Sequence, residues 1–213
     1  MTNQDLVEDV ARRVGRDDLV GEFQKAINRA QRRCADRHSF SEMLTRTTIT
    51  HGAGMETVDL PTRFKELADT DAAIIATDGL GQVMKCDVAS GQVGWARQSA
   101  APLVFEVARH SGNPILRQLG PLLNGVVVTP SDDVALLVAY YEYPEDLAAD
   151  DSTALLNRCY EAIVALASSL VFRNIQDPMF AAGLQEYEME IAAAIRGDVG
   201  RITAGRKFRF GRS

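Results

Sequence analysis

The side chains able to do chemistry are few and scattered. The histidines, His38, His51 and His110, fall in unrelated segments, and none stands in H-E-x-x-H or another ligand spacing. Asp132-Asp133 sits between two β-type runs and reads as a turn. Glu186, Glu188 and Glu190 alternate with Tyr187 and Met189, and a spacing of two spreads carboxylates around a helix and does not gather them. Cys34, Cys86 and Cys159 are odd in number and without a C-x-x-C, so they read as small core residues, with no disulfide framework or zinc set expected. There is no G-x-S-x-G and no Walker loop, and the G-x-G of DGLGQV lacks the third glycine of a dinucleotide loop. The single tryptophan, Trp95, is expected in a core or an interface. No catalytic constellation emerges and no metal or cofactor is expected, so the chemistry left is that of binding.

Two basic features carry it. Lys25, Arg29, Arg33 and Arg37 recur every fourth residue, with Arg32 beside them, as one stripe on a helix. Such a stripe is most often a solvated face; its other use is to meet phosphates or an acidic partner. The second is the C-terminal GRKFRFGRS, where Arg206, Lys207 and Arg209 alternate with Phe208 and Phe210 and Arg212 follows. Exposed phenylalanines cost solubility unless covered, which favours docking over a merely frayed end.

The bulk charge sharpens the contrast. The chain has 213 residues and a net charge of -6. Residues 1–50 carry a net +1, 51–151 a net -9, 152–196 a net -2 and 197–213 a net +4. An acidic body with a basic end is the pattern of a tail that docks elsewhere. A hydrophobic fraction of 46% with 24% charged is that of a globular protein able to bury one core. No uninterrupted apolar run approaches the ~18 residues of a bilayer span, and MTNQDLVEDVARR lacks the apolar stretch of a secretory signal.

The elements that must position these residues follow from periodicity. A helix is predicted over about 3–14, capped by Thr2, with Leu6, Val7, Val10 and Val14 on one face and Gly15 as its stop. The basic helix follows over about 18–37, with Leu19, Phe23, Ala26, Ile27, Ala30 and Cys34 as its apolar stripe. Residues 44–144 then read as β-rich. Leu44–Thr50 and ETVDLP are expected to form a hairpin around HGAGM, and VVVTP with VALLVAYYEYP a second one around SDD. AAIIAT and PLVFEVAR read as further strands, and VASGQVGW holds a turn at Ser90-Gly91. EDLAADDS leads into a nearly all-apolar helix at about 152–175, with Asp151 or Ser152 as cap. Asp177-Pro178 starts a last helix at about 178–196, which Gly197 and Gly200 are expected to end, and 201–213 is expected to be an extended arm. The fold class is α+β: N- and C-terminal helix pairs packed as a bundle, an inserted antiparallel β-rich middle within a single domain of residues 1–200, and the arm.

The order of these blocks resembles the adaptor, or head-to-tail connector, proteins of tailed bacteriophages, also described as tail tubular protein A-like. Three stretches carry the resemblance: FQKAINRAQRRCADRHSFSEMLTRTTITHGAGMETVDLPTRFKEL, VALLVAYYEYPEDL, and STALLNRCYEAIVALASSLVFRNIQDPMFAAGLQEYEMEIA. Residues 70–100 show no match, and the short acidic EDLAADD replaces a longer loop with prolines and a tryptophan. The resemblance implies a non-enzymatic virion protein of the neck or tail, assembled in the host cytoplasm. It implies a homo-oligomeric ring, twelvefold to match the portal ring above it, with a downstream tail or nozzle protein below. Genomic DNA would pass through the lumen without sequence-specific binding, and no membrane is involved. Arg201, Arg206, Lys207, Phe208, Arg209, Phe210 and Arg212 would bind the portal, and the α-helical stripe would meet a partner or a neighbouring subunit. The competing reading is a nucleic-acid-binding module built on the stripe and the basic arm; a pI near 5.1 and the lack of a recognisable DNA- or RNA-binding motif weigh against it.

Overall fold

The computed structural model describes residues 1–68, 73–77, 83–88, 103–120, 122–123, 126–148 and 151–207. The chain is α+β and divides into two compact units. Met1–Met43 and the chain from Tyr143 on form a helical unit; Leu44–Glu142 forms a β unit inserted between them.

The helical unit is built around an apolar helix. α1 (Asn3–Val14) begins with a capping box, in which the Thr2 side chain accepts from the Asp5 N–H and Asp5 accepts from the Thr2 N–H, and it ends at Gly15. A 3-10 turn at Asp17–Leu19 leads into α2 (Val20–Arg37), whose Phe23, Ile27, Ala30 and Cys34 are fully buried, as the stripe predicts. α3 (Ala154–Asn174) is capped by Thr153, whose Oγ1 accepts the Leu156 N–H at 3.0 Å, one or two residues later than expected. α3 packs against α1, α2 and α4, and fifteen of its residues are buried. By length and composition alone it would cross a membrane, but this apolarity is spent on the interior of the unit. Its backbone departs from helical geometry at Cys159. There the Cys34 thiol lies in hydrogen-bonding reach of Cys159; that bond and burial push the Cys34 pKa up, and both cysteines are free.

The short acidic connection before α3 makes its own contacts. Asn3, fully buried, donates through Nδ2 to Gln24 Oε1 (2.8 Å) and to the Ala148 carbonyl (2.9 Å). Asn28 Oδ1 accepts the Leu147 N–H at 3.0 Å, and Asp146 pairs with Arg32 at 3.1 Å. These bonds satisfy loop backbone that would otherwise be buried unpaired.

α4 (Met179–Lys207) starts as read, with Asp177 Oδ1 accepting the Met179 N–H at 2.8 Å, but does not stop at Gly197 or Gly200. The helix runs on through Arg201 to Lys207, so the expected arm is helical over its first seven residues; 208–213 lie outside the described residues. Interior glycines cost about 1 kcal/mol each, and tertiary contacts described below offset them. α3 and α4 approach closely at Gly183, where an added Cβ would lie 2.9 Å from the Ser169 Cβ.

In the β unit, β1 (Leu44–His51) does not pair with β2 (Thr57–Asp59), against the expected hairpin. It pairs antiparallel along its whole length with β11 (Val134–Glu142), from Leu44↔Tyr141 to His51↔Val134. β11 also pairs with β3 (Phe64–Leu67) and with β4 (Ile74–Thr77), and β4 with β5 (Val83–Lys85). Nor does VVVTP pair with β11. Of that run, β10 (Val126–Val127) pairs with β9 (Leu122–Leu123). A second sheet orders β2, β8 (Asn113–Gly120), β7 (Val104–His110) and β6 (Asp87–Val88), with β6–β7 parallel. The β7–β8 hairpin was not read from the sequence; it turns at Ser111-Gly112, both at positive φ, as a tight hairpin requires. Long-range pairing wins because β11 buries Val134, Leu136, Val138 and Tyr140 in alternation and so anchors the core with Phe64, Ile74, Phe105 and Leu116. The Ser90-Gly91 turn, Trp95 and most of DGLGQV lie outside the described residues.

Candidate functional site

The basic stripe lies on the solvent side of α2, and its members are not equivalent. Lys25 pairs with Glu22 one turn earlier at 2.9 Å. Arg37 pairs with Glu188 of α4 in an exposed ion pair. Arg29 and Arg33 are exposed and have no carboxylate in ion-pair range among the described residues. They stand one turn apart, about 6 Å along the axis. The stripe is thus two tethered cations flanking two free ones.

Arg201 has a structural partner. Its Nη1 donates to Glu42 Oε1 at 2.7 Å, and the same oxygen accepts from Arg158 of α3 at 2.9 Å. One turn earlier, Asp198 is fully buried. Its Oδ1 accepts the Ser41 hydroxyl at 2.6 Å and its Oδ2 lies 2.8 Å from His38 Nε2. Burial alone drives the Asp198 pKa up, but the bonds from the Ser41 hydroxyl, the His38 ring and the Ser41 N–H outweigh it and hold the carboxyl below 3.8. Serine, aspartate and histidine meet here, but the carboxylate stands between the other two. The imidazole therefore does not reach the hydroxyl to act as its base, and the group works as an anchor for α4. Sequence reading missed it because Asp198 lies 160 positions from His38 and 157 from Ser41; a lone acid in a basic, glycine-rich stretch was the signal available.

Arg206 and Lys207 belong to the last turn of α4, while Phe208, Arg209, Phe210 and Arg212 lie outside the described residues. The structure therefore brings Arg201 to Glu42 and leaves the stripe on a separate helix. Among the described residues no group of three or more His, Cys, Asp or Glu is placed to hold a metal. Asp133, read as a turn residue, accepts the Ala53 N–H at 2.9 Å through Oδ1.

A second surface feature follows the α3–α4 seam. Two neighbouring hollows of about 300 and about 380 Å³ lie over α3, one bordered by Met1 and the other by Arg13 on one side, with α4 on the other. Their polar lining includes Glu161, Glu186 and Glu190. Arg13 bridges Glu186 (2.7 Å) and Glu161 (3.4 Å), while Glu190 has no cation in range among the described residues. The Ser168 hydroxyl, in the lining, is buried without a hydrogen-bond partner among the described residues. Exposed Met179 and Met189 project from α4.

No curated protein matches the chain. A family model described as SU10 adaptor protein matches residues 1–209, which takes in the β unit and the helical unit to the end of α4. With nearly the whole chain inside that match, the protein belongs to the SU10 adaptor protein family.

Proposed function

We propose that this chain is a structural subunit that joins phage head to tail as a closed ring beneath the portal. The family gives the coarse role, that of a phage adaptor protein. The observation that carries the reading is the extent of the match, residues 1–209, which includes both units and not one borrowed module. In this reading the ring is twelvefold, like the portal it meets, continues the DNA channel and presents its lower side to a tail or nozzle protein. The acidic stretch at 51–151 supplies a surface from which DNA phosphates are repelled, so that the genome slides and does not stick.

The portal contact is the C-terminal end of the chain, from the last turn of α4 onward. Arg201 is engaged by Glu42 inside the subunit, so the contact starts at Arg206 and comprises Arg206, Lys207, Phe208, Arg209, Phe210 and Arg212. The phenylalanines are its anchors and the cations set register against an acidic groove. Mixing the protein with the portal ring of the same phage tests this, read by light scattering and electron microscopy. The full chain is expected to add a stoichiometric ring, and a chain ending at Gly205 to fail. If both join, the tail's role falls and the ring stands. If neither joins, the portal assignment falls.

A further inference from the structure

We infer that neighbouring copies meet through the free arginines of α2 on one copy and the acidic α3–α4 groove on the next, an inference that rests on the ring reading above. The two surfaces are complementary in sign and in spacing. Arg29 and Arg33 are unpaired among the described residues and one helical turn apart. Glu186 and Glu190 line the groove and are also four residues apart on α4, so both ladders repeat at ~6 Å. Arg13 is shared between Glu186 and Glu161, and Glu190 has no cation in range among the described residues. Arg158, also in the lining, is already held by Glu42. Of the charged side chains in the lining, three are acidic (Glu161, Glu186 and Glu190) and two are basic (Arg13 and Arg158).

The surfaces do not overlap, since no stripe residue lines either hollow. Two different, complementary patches on one subunit make a heterologous contact, the kind that propagates from copy to copy and closes into a ring when the rotation permits. Two features of the lining mark the groove as a surface awaiting cover: the Ser168 hydroxyl, buried without a partner among the described residues, and Met179, a large apolar side chain that is 55% exposed.

The test uses two charge-reversed full-length proteins, Arg29→Glu/Arg33→Glu and Glu186→Lys/Glu190→Lys, studied alone and mixed by sedimentation velocity at low and high salt. Wild type is expected to associate at low salt and to dissociate as salt screens the contact. Each variant alone is expected to associate at least about ten-fold more weakly, since its contact now joins like charges. The mixture is expected to recover association, because each reversed surface then finds its opposite on the other protein. Circular dichroism melts check that the variants fold, and the neutral pair Arg29→Gln/Arg33→Gln, expected to give an intermediate loss, stands in if a reversed protein does not. Association unchanged in both variants overturns the inference and leaves the ring reading in place. Loss in both without recovery on mixing also overturns it. A wild type that stays monomeric at low salt overturns it too, and the ring reading is then decided by portal co-assembly alone.

Discussion

At the scale of single residues, the buried polar groups decide the pH behaviour. His51, at the end of β1, is fully buried against Phe105, with both ring nitrogens unpartnered among the described residues, and burial lowers its pKa from 6.5. The unfolded chain therefore takes up a proton first as pH falls. The stability His51 gives the β unit is complete above 6.5 and is lost as pH drops through the lowered folded value. Urea titrations between pH 7 and 5 should show this loss in wild type and a flatter profile in His51→Leu. Asp198 acts in the helical unit and further into acid. Its stabilising share is present above 3.8 and disappears as pH falls through its lower folded value, so the β unit should weaken first and the helical unit later. Gln31 is a different case: both polar atoms of its amide are buried without partners among the described residues. Gln31→Leu removes that penalty and should raise stability by about 1–2 kcal/mol in a thermal or urea melt.

At the scale of elements, the end of α4 is held by polar contacts. Asp198→Ala removes the acceptor for Ser41 and His38. It should speed hydrogen exchange across residues 195–207 while α3 stays protected; equal protection in both proteins would contradict the anchor. Gly183→Ala brings a methyl within 2.9 Å of the Ser169 Cβ and should cost about 1–3 kcal/mol. These two elements also show where the sequence is transparent. α1 and α2 were legible because a 3.6-residue period is a local signal, and α3 because a long, nearly all-apolar run between polar segments is one too. The continuation of α4 was not, because Gly197 and Gly200 speak locally for a stop, and a buried carboxylate bonded to residues 157 and 160 positions earlier overrules them. Strands were legible at β1, β4, β7 and β11, but their partners were not. Both expected hairpins assumed that neighbours in sequence pair, whereas β1 finds β11 across the whole β unit. For the binding surfaces, the spacing of Lys25, Arg29, Arg33 and Arg37 was plain. Which of them are already paired depends on Glu22 and Glu188, and the α3–α4 groove exists only once the helices are assembled.

At the scale of the whole molecule, both halves of the helical unit come from the two ends of the chain, and everything between Leu44 and Glu142 is an excursion. The register Leu44↔Tyr141 places the start of that excursion beside its finish. To the helical unit the inserted strands count as a short bridge, whatever length of chain they contain, because the paired stem closes the loop at its base. A chain in which Met43 is joined to Tyr143 through a brief glycine-containing turn should therefore keep the helical circular dichroism signal and melt cooperatively. A featureless melt would show that the helices need the strands to fold. The same stem means that residues added to or removed from the β unit would leave the span between Met43 and Tyr143 unchanged, so the helices could keep their packing.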